Sequence, residues 1–187
     1  MVSELITKCR SYRRFESTRK ISREELLMMV DAARRSGSTA NLQRLRFALV
    51  NDNEECDKIF ENLAFAGYLK EWKGPKYEER PTAYIIIMTE KTPDVNVGVD
   101  MGIAAEAILL VATEIGLGGC MIRSFKKSEI DAILGVEGLS TELVIALGAP
   151  SETVYLVDAK DGDIKYYRDE KDNHAVPKLS LSELVVR

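Results

Sequence analysis

The sequence predicts a single α+β domain over residues 1–187. Helical and strand-like segments alternate irregularly, and neither an internal repeat nor a low-complexity linker divides the chain. A length of 187 residues with 45% hydrophobic content suffices to bury one core. The segment 83–88 is a continuous apolar run, which is typical of a central strand that is covered on both faces. We therefore expect a central sheet flanked by helices.

Four helices are predicted after the basic amino-terminal segment. The first starts with a capping box between Ser22 and Glu25. The spacing of apolar residues predicts two more helices, over 54–66 and 128–134. Residues 100–115 are apolar nearly all round a helix and include several small residues. We expect this last segment to be a buried helix that another helix can approach closely.

The predicted strands are short apolar runs bounded by turn residues. A hairpin is expected to pair segments 155–157 and 164–167 across Asp161-Gly162. The end of the chain is apolar at Leu184, Val185 and Val186, which suggests surface that a partner covers. The other strands are expected over 46–50, 83–88, 120–125 and 143–147.

The composition argues against several kinds of function. A net charge of −4 disfavours a general nucleic-acid binder, because non-specific affinity grows with the number of phosphates neutralised. Three widely spaced cysteines predict neither a disulfide framework nor a zinc site, and a single histidine excludes the common catalytic zinc arrangements. That histidine, His174, follows Asp172-Asn173 and is expected at the surface. Without a membrane-length apolar segment or a leader-like start, we expect a cytoplasmic protein with no metal and no membrane contact.

The first quarter of the chain is basic although the whole chain is acidic. Residues 1–50 hold 11 Lys and Arg against 5 Asp and Glu, whereas the whole chain holds 26 against 30. Arg10 and Arg13 are three residues apart and would share one face of a helix, with the Ser11 hydroxyl beside them. Two guanidinium groups and a hydroxyl suit a terminal phosphate, whose oxygens accept paired hydrogen bonds. The alternative is the solvated surface of a basic helix.

Two further motifs each leave two interpretations open. The run 116–119, Gly-Leu-Gly-Gly, follows a helix, whereas a dinucleotide fingerprint needs a strand before its glycines. It is either a helix-ending turn or a turn that lets backbone approach a flat ligand. The polar run 36–43 is either a simple loop or a set of donors and acceptors for the edge of a heteroaromatic ring.

Taken in order, these motifs resemble the FMN-dependent nitroreductase family. The resemblance runs over nearly the whole chain, and four modest motifs in the same order are together fairly specific. The stretches that carry it are Arg10-Ser11-x-Arg13 with Phe15, Ser38-x-x-Asn41-x-Gln43 with Phe47, residues 100–119, residues 143–150, and Tyr166-Tyr167-Arg168 with Val176-Pro177-Lys178.

The resemblance implies a central mixed sheet flanked by helices, and a homodimer in which the carboxyl-terminal segment packs across the interface. It implies two FMN sites built from both chains, with flavin nitrogen N5 carrying the chemistry and no catalytic side chain. The implied FMN contacts are Arg10, Ser11, Arg13 and Lys178 at the phosphate, Ser38, Asn41 and Gln43 from the opposite subunit, Arg123 and Ser124 beside N5, and Lys73 and Lys76 near the pyrimidine edge.

The implied activity is a two-step transfer of electrons from NADH or NADPH through FMN to an electron-poor acceptor, such as a nitroaromatic, a quinone or an enone. The chain departs from the family pattern around the polar run, where Gly37 and Arg44-Leu45 replace frequent prolines and a tryptophan. Substrate choice therefore does not transfer. Three alternatives stay open: a flavin-binding carrier or sensor without turnover, a binder of acidic partners or nucleic acid, and an enzyme for which flavin itself is the substrate.

Overall fold

A computed structural model describes residues 1–91 and 97–187 of the chain. Within these residues the chain forms six α-helices and seven β-strands. The helices are α1 (Val2–Lys8), α2 (Arg23–Arg35), α3 (Asn53–Phe60), α4 (Gly98–Glu114), α5 (Lys127–Leu134) and α6 (Leu181–Leu184). The strands are β1 (Arg46–Val50), β2 (Ala83–Glu90), β3 (Gly118–Ile122), β4 (Leu139–Gly148), β5 (Val154–Asp158), β6 (Tyr167–Arg168) and β7 (His174–Lys178).

The main sheet has the strand order β1-β2-β4-β3, and its neighbouring strands are antiparallel. Strand β2 lies inside the sheet, with Ile85 opposite Leu49 on one side and Ile145 on the other. Seven of the eight residues of β2 are buried, which confirms the predicted central strand. A parallel bridge between Ser11 and Gly119 adds the amino-terminal segment at the β3 edge.

Helices cover both faces of this sheet. Because side chains alternate along a strand, Ile85 and Ile87 face one core with α2 and α4. Tyr84 and Ile86 face a second core with α3 and α5. The apolar run of β2 therefore joins two hydrophobic layers, as the α+β prediction requires.

The predicted helices are present, with one large difference in length. The capping box of α2 is formed, with the Ser22 side chain accepting from the backbone of Glu25. Helix α3, predicted to reach residue 66, ends at Phe60. Beyond it, Leu63 bridges to Phe125 and the backbone N–H of Ala64 donates to the Ser124 carbonyl over 2.8 Å. This long-range pairing replaces the last turns that the local pattern predicts.

Strand β3 begins two residues before its predicted start because Gly118 and Gly119 belong to it. The turn from α4 is made at Gly116, whose φ is +79°. A Cβ on Gly118 would lie 2.5 Å from Cδ2 of Tyr12. Gly118 therefore lets the amino-terminal segment lie directly against β3. A Cβ on Gly119 would instead meet Ala146, Leu109 and Leu147, so both glycines allow close packing against other parts of the protein.

The carboxyl-terminal part forms a second sheet with the order β5-β7-β6. The predicted hairpin across Asp161-Gly162 is wrong: β5 pairs in parallel with β7, and β6 pairs antiparallel with β7. Near the turn only a bridge between Lys160 and Asp163 forms. Strand β7 takes the centre because it carries the buried residues of this part, whereas segment 161–165 is exposed.

Two apolar surfaces face solvent in the single chain. Val99 and Ile103 on α4 are 58% and 41% exposed, so this helix is not buried all round as predicted. In the tail, Leu181 is 79% and Val186 is 98% exposed. The homodimer that would cover both surfaces stays a prediction. Among the helices of residues 1–91 and 97–187, none has the length and apolarity needed to cross a membrane.

Candidate functional site

A cavity of about 330 Å³ opens where the amino-terminal segment, α4, β3 and β7 meet. We call it the cationic cavity, because three of its lining residues are Arg or Lys and only one is acidic. The four residues predicted to contact the phosphate come together in its wall, three from the start of the chain and one, Lys178, from near its end. The lining residues are Cys9, Arg10, Ser11, Arg13, Glu106, Leu109, Met121, Tyr166, His174, Val176 and Lys178.

The amino-terminal arginines do not lie on a helix. Helix α1 ends at Lys8, so the prediction that Arg10 and Arg13 share a helix face is wrong. The segment is extended instead, and the backbone N–H of Tyr12 donates to the carbonyl of Gly119 over 3.0 Å. Pairing with the edge of β3 satisfies the backbone there and holds the arginines at the cavity.

A buried carboxylate fixes the position of Arg13. Glu152, whose side chain is 2% exposed, accepts hydrogen bonds from the backbone N–H groups of Arg13 and Arg14. Its other oxygen accepts from Nη2 of Arg168 over 2.6 Å. Through Glu152 the start of the chain is therefore joined to Arg168, near its end. The sequence did not predict this contact.

The side chains of the two predicted arginines are held differently. Nη1 of Arg13 donates to the carbonyl of Ser11 over 3.0 Å, and its guanidinium lies 4.8 Å from the centre of the Tyr166 ring. Nη2 of Arg10 donates to the carbonyl of Ile6 over 2.6 Å. The buried Nε of Arg10 finds no hydrogen-bond partner within the described part of the chain.

His174, predicted at the surface, is fully buried in the cavity wall. Burial is the first cause that lowers its pKa to about 4, and the nearby charge of Arg13 adds to this. The imidazole is therefore neutral near pH 7. Side chains alternate along β7, so His174, Val176 and Lys178 share one face of the strand. Because Lys178 was predicted at the site, the same alternation could have placed His174 there instead of at the surface.

A second cavity, of about 270 Å³, lies against the other predicted contact segment. We call it the polar cavity. Ser38 and Gln43 line it, whereas Asn41 does not, and the buried hydroxyl of Ser38 has no hydrogen-bond partner among the described residues. Its lining residues are Val30, Ala33, Arg34, Ser36, Gly37, Ser38, Gln43, Leu45, Arg46, Phe47, Asp100 and Ala104.

The segment at the polar cavity has an unusual backbone that one carboxylate holds. Ala40, Asn41 and Gln43 have φ values of 49°, 55° and 48°, a conformation that costs free energy for residues other than glycine. Asp100, in the first turn of α4, accepts from the backbone N–H and the hydroxyl of Thr39 over 2.8 and 2.7 Å. These hydrogen bonds lower the pKa of Asp100.

Four other predicted contact residues are absent from the linings of both cavities. Lys73 and Lys76 are exposed in the connection between α3 and β2. Arg123 and Ser124 are exposed directly after β3, and Met121, two residues before Arg123, lines the cationic cavity. These four contacts stay predictions.

The cysteines are not activated nucleophiles. Burial raises the pKa of Cys9 and Cys120, and it raises that of Cys56 to about 12. No group of three or more metal-ligating side chains occurs in the described ranges 1–91 and 97–187. The protein groups at the cationic cavity are therefore suited to binding an anion rather than to nucleophilic attack.

Fold and sequence together define the class of protein. A family model described as "Nitroreductase family" matches residues 6–149, and the chain belongs to that family.

Solved structures of the same fold include several clostridial proteins. A nitroreductase family protein from Clostridium novyi NT is 26% identical, with a TM-score of 0.64 over 80% of this chain and 86% of that one. An FMN-dependent nitroreductase from Clostridium difficile R20291 is 23% identical, with a TM-score of 0.67 over 91% and 99%. An NADPH:FMN oxidoreductase from Vibrio harveyi, in complex with NAD+, is 22% identical, with a TM-score of 0.64 over 97% and 80%. No curated protein matches the chain.

Proposed function

We propose that this chain is an FMN-dependent oxidoreductase that transfers electrons from NADH or NADPH to an electron-poor acceptor. The observation that carries the proposal is the cationic cavity, where Arg10, Ser11, Arg13 and Lys178 converge from both ends of the chain. Family membership supports it, as do the FMN-dependent nitroreductase and the NADPH:FMN oxidoreductase among the structures of similar fold.

The residues present fit the phosphate end of FMN. Guanidinium groups and a lysine bind phosphate through charge-assisted hydrogen bonds, and the unpaired buried Nε of Arg10 offers one more donor. Glu106 is the one acidic side chain in the lining, and it is exposed to solvent. An anion would therefore bind on the arginine side of the cavity, away from this carboxylate.

The positions of the two cavities support a homodimer. Ala104 of α4 borders the polar cavity, and Leu109 of the same helix borders the cationic cavity. Because successive helical residues are rotated by about 100°, these two side chains point in directions that differ by roughly 140° around the helix axis. The exposed Val99 and Ile103 lie on the wider arc between those sides, about 220° of the helix surface, whereas the narrower arc carries the buried Ala105 and Ile108. A second copy packed on this stripe would place its polar cavity next to the cationic cavity of the first, so that both segments reach one flavin.

The protein's contribution is binding and orientation. FMN, when bound, supplies the redox chemistry by accepting hydride from the nicotinamide and passing electrons on to the acceptor. Arg10, Arg13, Ser11 and Lys178 anchor its phosphate. We further propose, from the resemblance, that Arg123 and Ser124 lie beside N5, that Lys73 and Lys76 lie near the pyrimidine edge, and that Ser38, Asn41 and Gln43 contact the flavin from the partner subunit.

The visible spectrum of the purified protein tests this function. We expect a flavin spectrum after reconstitution with FMN, bleaching on anaerobic addition of NADH or NADPH, and recovery of the oxidised spectrum when a quinone or nitroaromatic is added. Bound flavin that neither donor reduces would indicate a carrier or sensor. A protein that stays colourless in excess FMN would overturn the proposal, and chemically altered flavin after aerobic turnover would make flavin the substrate.

Arg10→Ala tests the phosphate anchor. We expect FMN affinity to fall by about 1.5–3 kcal/mol, the range for hydrogen bonds to charged groups. Fluorescence titration with FMN measures the change, and Arg35→Ala, on the exposed end of α2, serves as the control. An unchanged affinity in Arg10→Ala would remove Arg10 from the site.

A further inference from the structure

The wall of the cationic cavity contains an imidazole that the family resemblance did not assign. Strand β7 directs His174, Val176 and Lys178 to the same face, and all three line the cavity. His174 is thus placed on the same wall as the lysine that is proposed to bind the phosphate.

Two contacts, with Arg13 and with Tyr166, determine how the imidazole is held. Nε2 lies 3.4 Å from Nη1 of Arg13, and the ring centre lies 5.0 Å from that of Tyr166. Arg13 itself lies over the same Tyr166 ring. The other ring nitrogen, Nδ1, is buried and meets no hydrogen-bond partner in residues 1–91 and 97–187.

The contact with Arg13 indicates where the imidazole proton lies. A guanidinium has only donors, so Nε2 must be the acceptor and the proton of a neutral ring must be on Nδ1. Burial disfavours a positive ring, and the charge of Arg13 beside it disfavours that form further. The result is a buried Nδ1–H that has no acceptor among the described residues, and an unpaired buried donor is costly in a folded protein.

We propose that His174 is a ligand-binding residue that donates its Nδ1–H to the phosphate monoester of the flavin cofactor. The proposal rests on the proposed function, because that function supplies the phosphate. A neutral donor adds a hydrogen bond to the anion without adding a fourth positive charge to the cationic cavity. His174 thereby favours FMN over riboflavin, which lacks the phosphate.

Because the chain has one histidine, its imidazole can be observed alone. In protein labelled with ¹⁵N-histidine, long-range ¹H–¹⁵N spectra at pH 7 should show a neutral ring with the proton on Nδ1. Saturation with FMN should shift the Nδ1 resonance, whereas saturation with riboflavin should not. A proton on Nε2, or an Nδ1 resonance that FMN leaves unchanged, would overturn the proposal.

Two substitutions separate the hydrogen bond from the packing of the ring. His174→Phe keeps a ring against Tyr166 but has no donor, whereas His174→Asn keeps a donor nitrogen bonded to Cγ, as Nδ1 is. We expect His174→Phe to weaken FMN binding about tenfold and to leave riboflavin binding unchanged. We expect His174→Asn to stay within about threefold of wild type for FMN.

The outcomes distinguish this inference from the function on which it rests. Wild-type protein that fails to bind FMN overturns the function and the inference together. Wild-type protein that binds FMN, with His174→Phe equally tight, overturns the role of His174 alone. Parallel losses for FMN and riboflavin, or a loss in His174→Asn as large as in His174→Phe, would also overturn it, since packing rather than a donor would then explain the effect.

Discussion

The two cavities of this chain are held in different ways. The cationic cavity is built from four separated parts of the chain, and a buried carboxylate, Glu152, ties one of them, the amino-terminal segment, to Arg168 on β6, the strand that pairs with β7. The polar cavity is built around α2 and α4, and a single carboxylate, Asp100, holds its strained segment through Thr39. One depends on a buried ion pair whose carboxylate also accepts from two backbone N–H groups, and the other on two hydrogen bonds from the exposed Thr39 to Asp100, 61 residues further along the chain.

This difference has a physical consequence for how each cavity fails. A buried ion pair that loses one partner leaves an uncompensated charge, which is costly. A half-exposed segment that loses its anchor can rearrange and reach water at a smaller cost. We therefore expect disruption of the cationic cavity to destabilise the whole protein and disruption of the polar cavity to act locally.

Glu152→Ala is expected to have the largest effect. It leaves Arg168 and two backbone N–H groups without their buried acceptor, so the free energy of unfolding should fall by about 3 kcal/mol or more. Urea unfolding, with an m-value equal to that of wild type, measures the change.

Glu152→Gln is the matched control. It keeps an acceptor oxygen for the backbone of Arg13 and Arg14 but replaces the oxygen that accepts from Arg168 with an amide donor, so it loses the charge and one hydrogen bond and should cost less than Glu152→Ala. Wild-type stability in Glu152→Ala would contradict the idea that this carboxylate holds the cavity together.

Acid should destabilise the cationic cavity through His174. Its pKa in the folded chain is about 4, below the ordinary value of 6.5, so the unfolded chain binds the proton more tightly. The stability that the neutral imidazole of His174 contributes is complete above pH 6.5 and is lost as the pH falls towards 4. Across that window wild type should lose up to about 1.4 kcal/mol per pH unit relative to His174→Phe, which has no titrating ring. A difference between the two unfolding free energies that does not vary with pH, in the ligand-free proteins, would contradict this.

The residues of the cationic cavity show what sequence alone can predict. Arg10, Ser11 and Arg13 are close in sequence and belong to a recognisable motif, and resemblance added Lys178. Glu152 was missed because its partner Arg13 lies 139 residues away and no local pattern links them. His174 was misplaced because its neighbours Asp172 and Asn173 are polar, while the burial of β7 comes from tertiary packing.

The fold shows the same division between local and long-range information. Strand β2 and the capping box of α2 were predicted correctly because apolar runs and caps are properties of a few adjacent residues. The hairpin across Asp161-Gly162 was wrong because β7, later in the chain, competes for β5. Helix α3 was predicted too long because the pairing of Leu63 with Phe125 overrides local helix propensity.

Asp100→Asn should have the smallest effect, and it addresses the polar cavity. Hydrogen bonds from Thr39 lower the pKa of Asp100 below its ordinary value of 3.8, so the carboxylate contributes stability above that pH and loses it as the pH falls through its folded pKa. The stability difference between wild type and Asp100→Asn should therefore be constant near neutrality and shrink below about pH 4, at the lower end of the window in which His174 titrates. Thr39→Ala, which removes only the hydroxyl donor, should lie between the two in urea unfolding. Because Asp100 and Thr39 do not line the cationic cavity, Asp100→Asn removes no phosphate contact, and affinity for riboflavin and for FMN should fall by the same factor. A loss of stability as large as that of Glu152→Ala would mean that the strained segment is part of the global core, and the contrast between the two cavities would then fail.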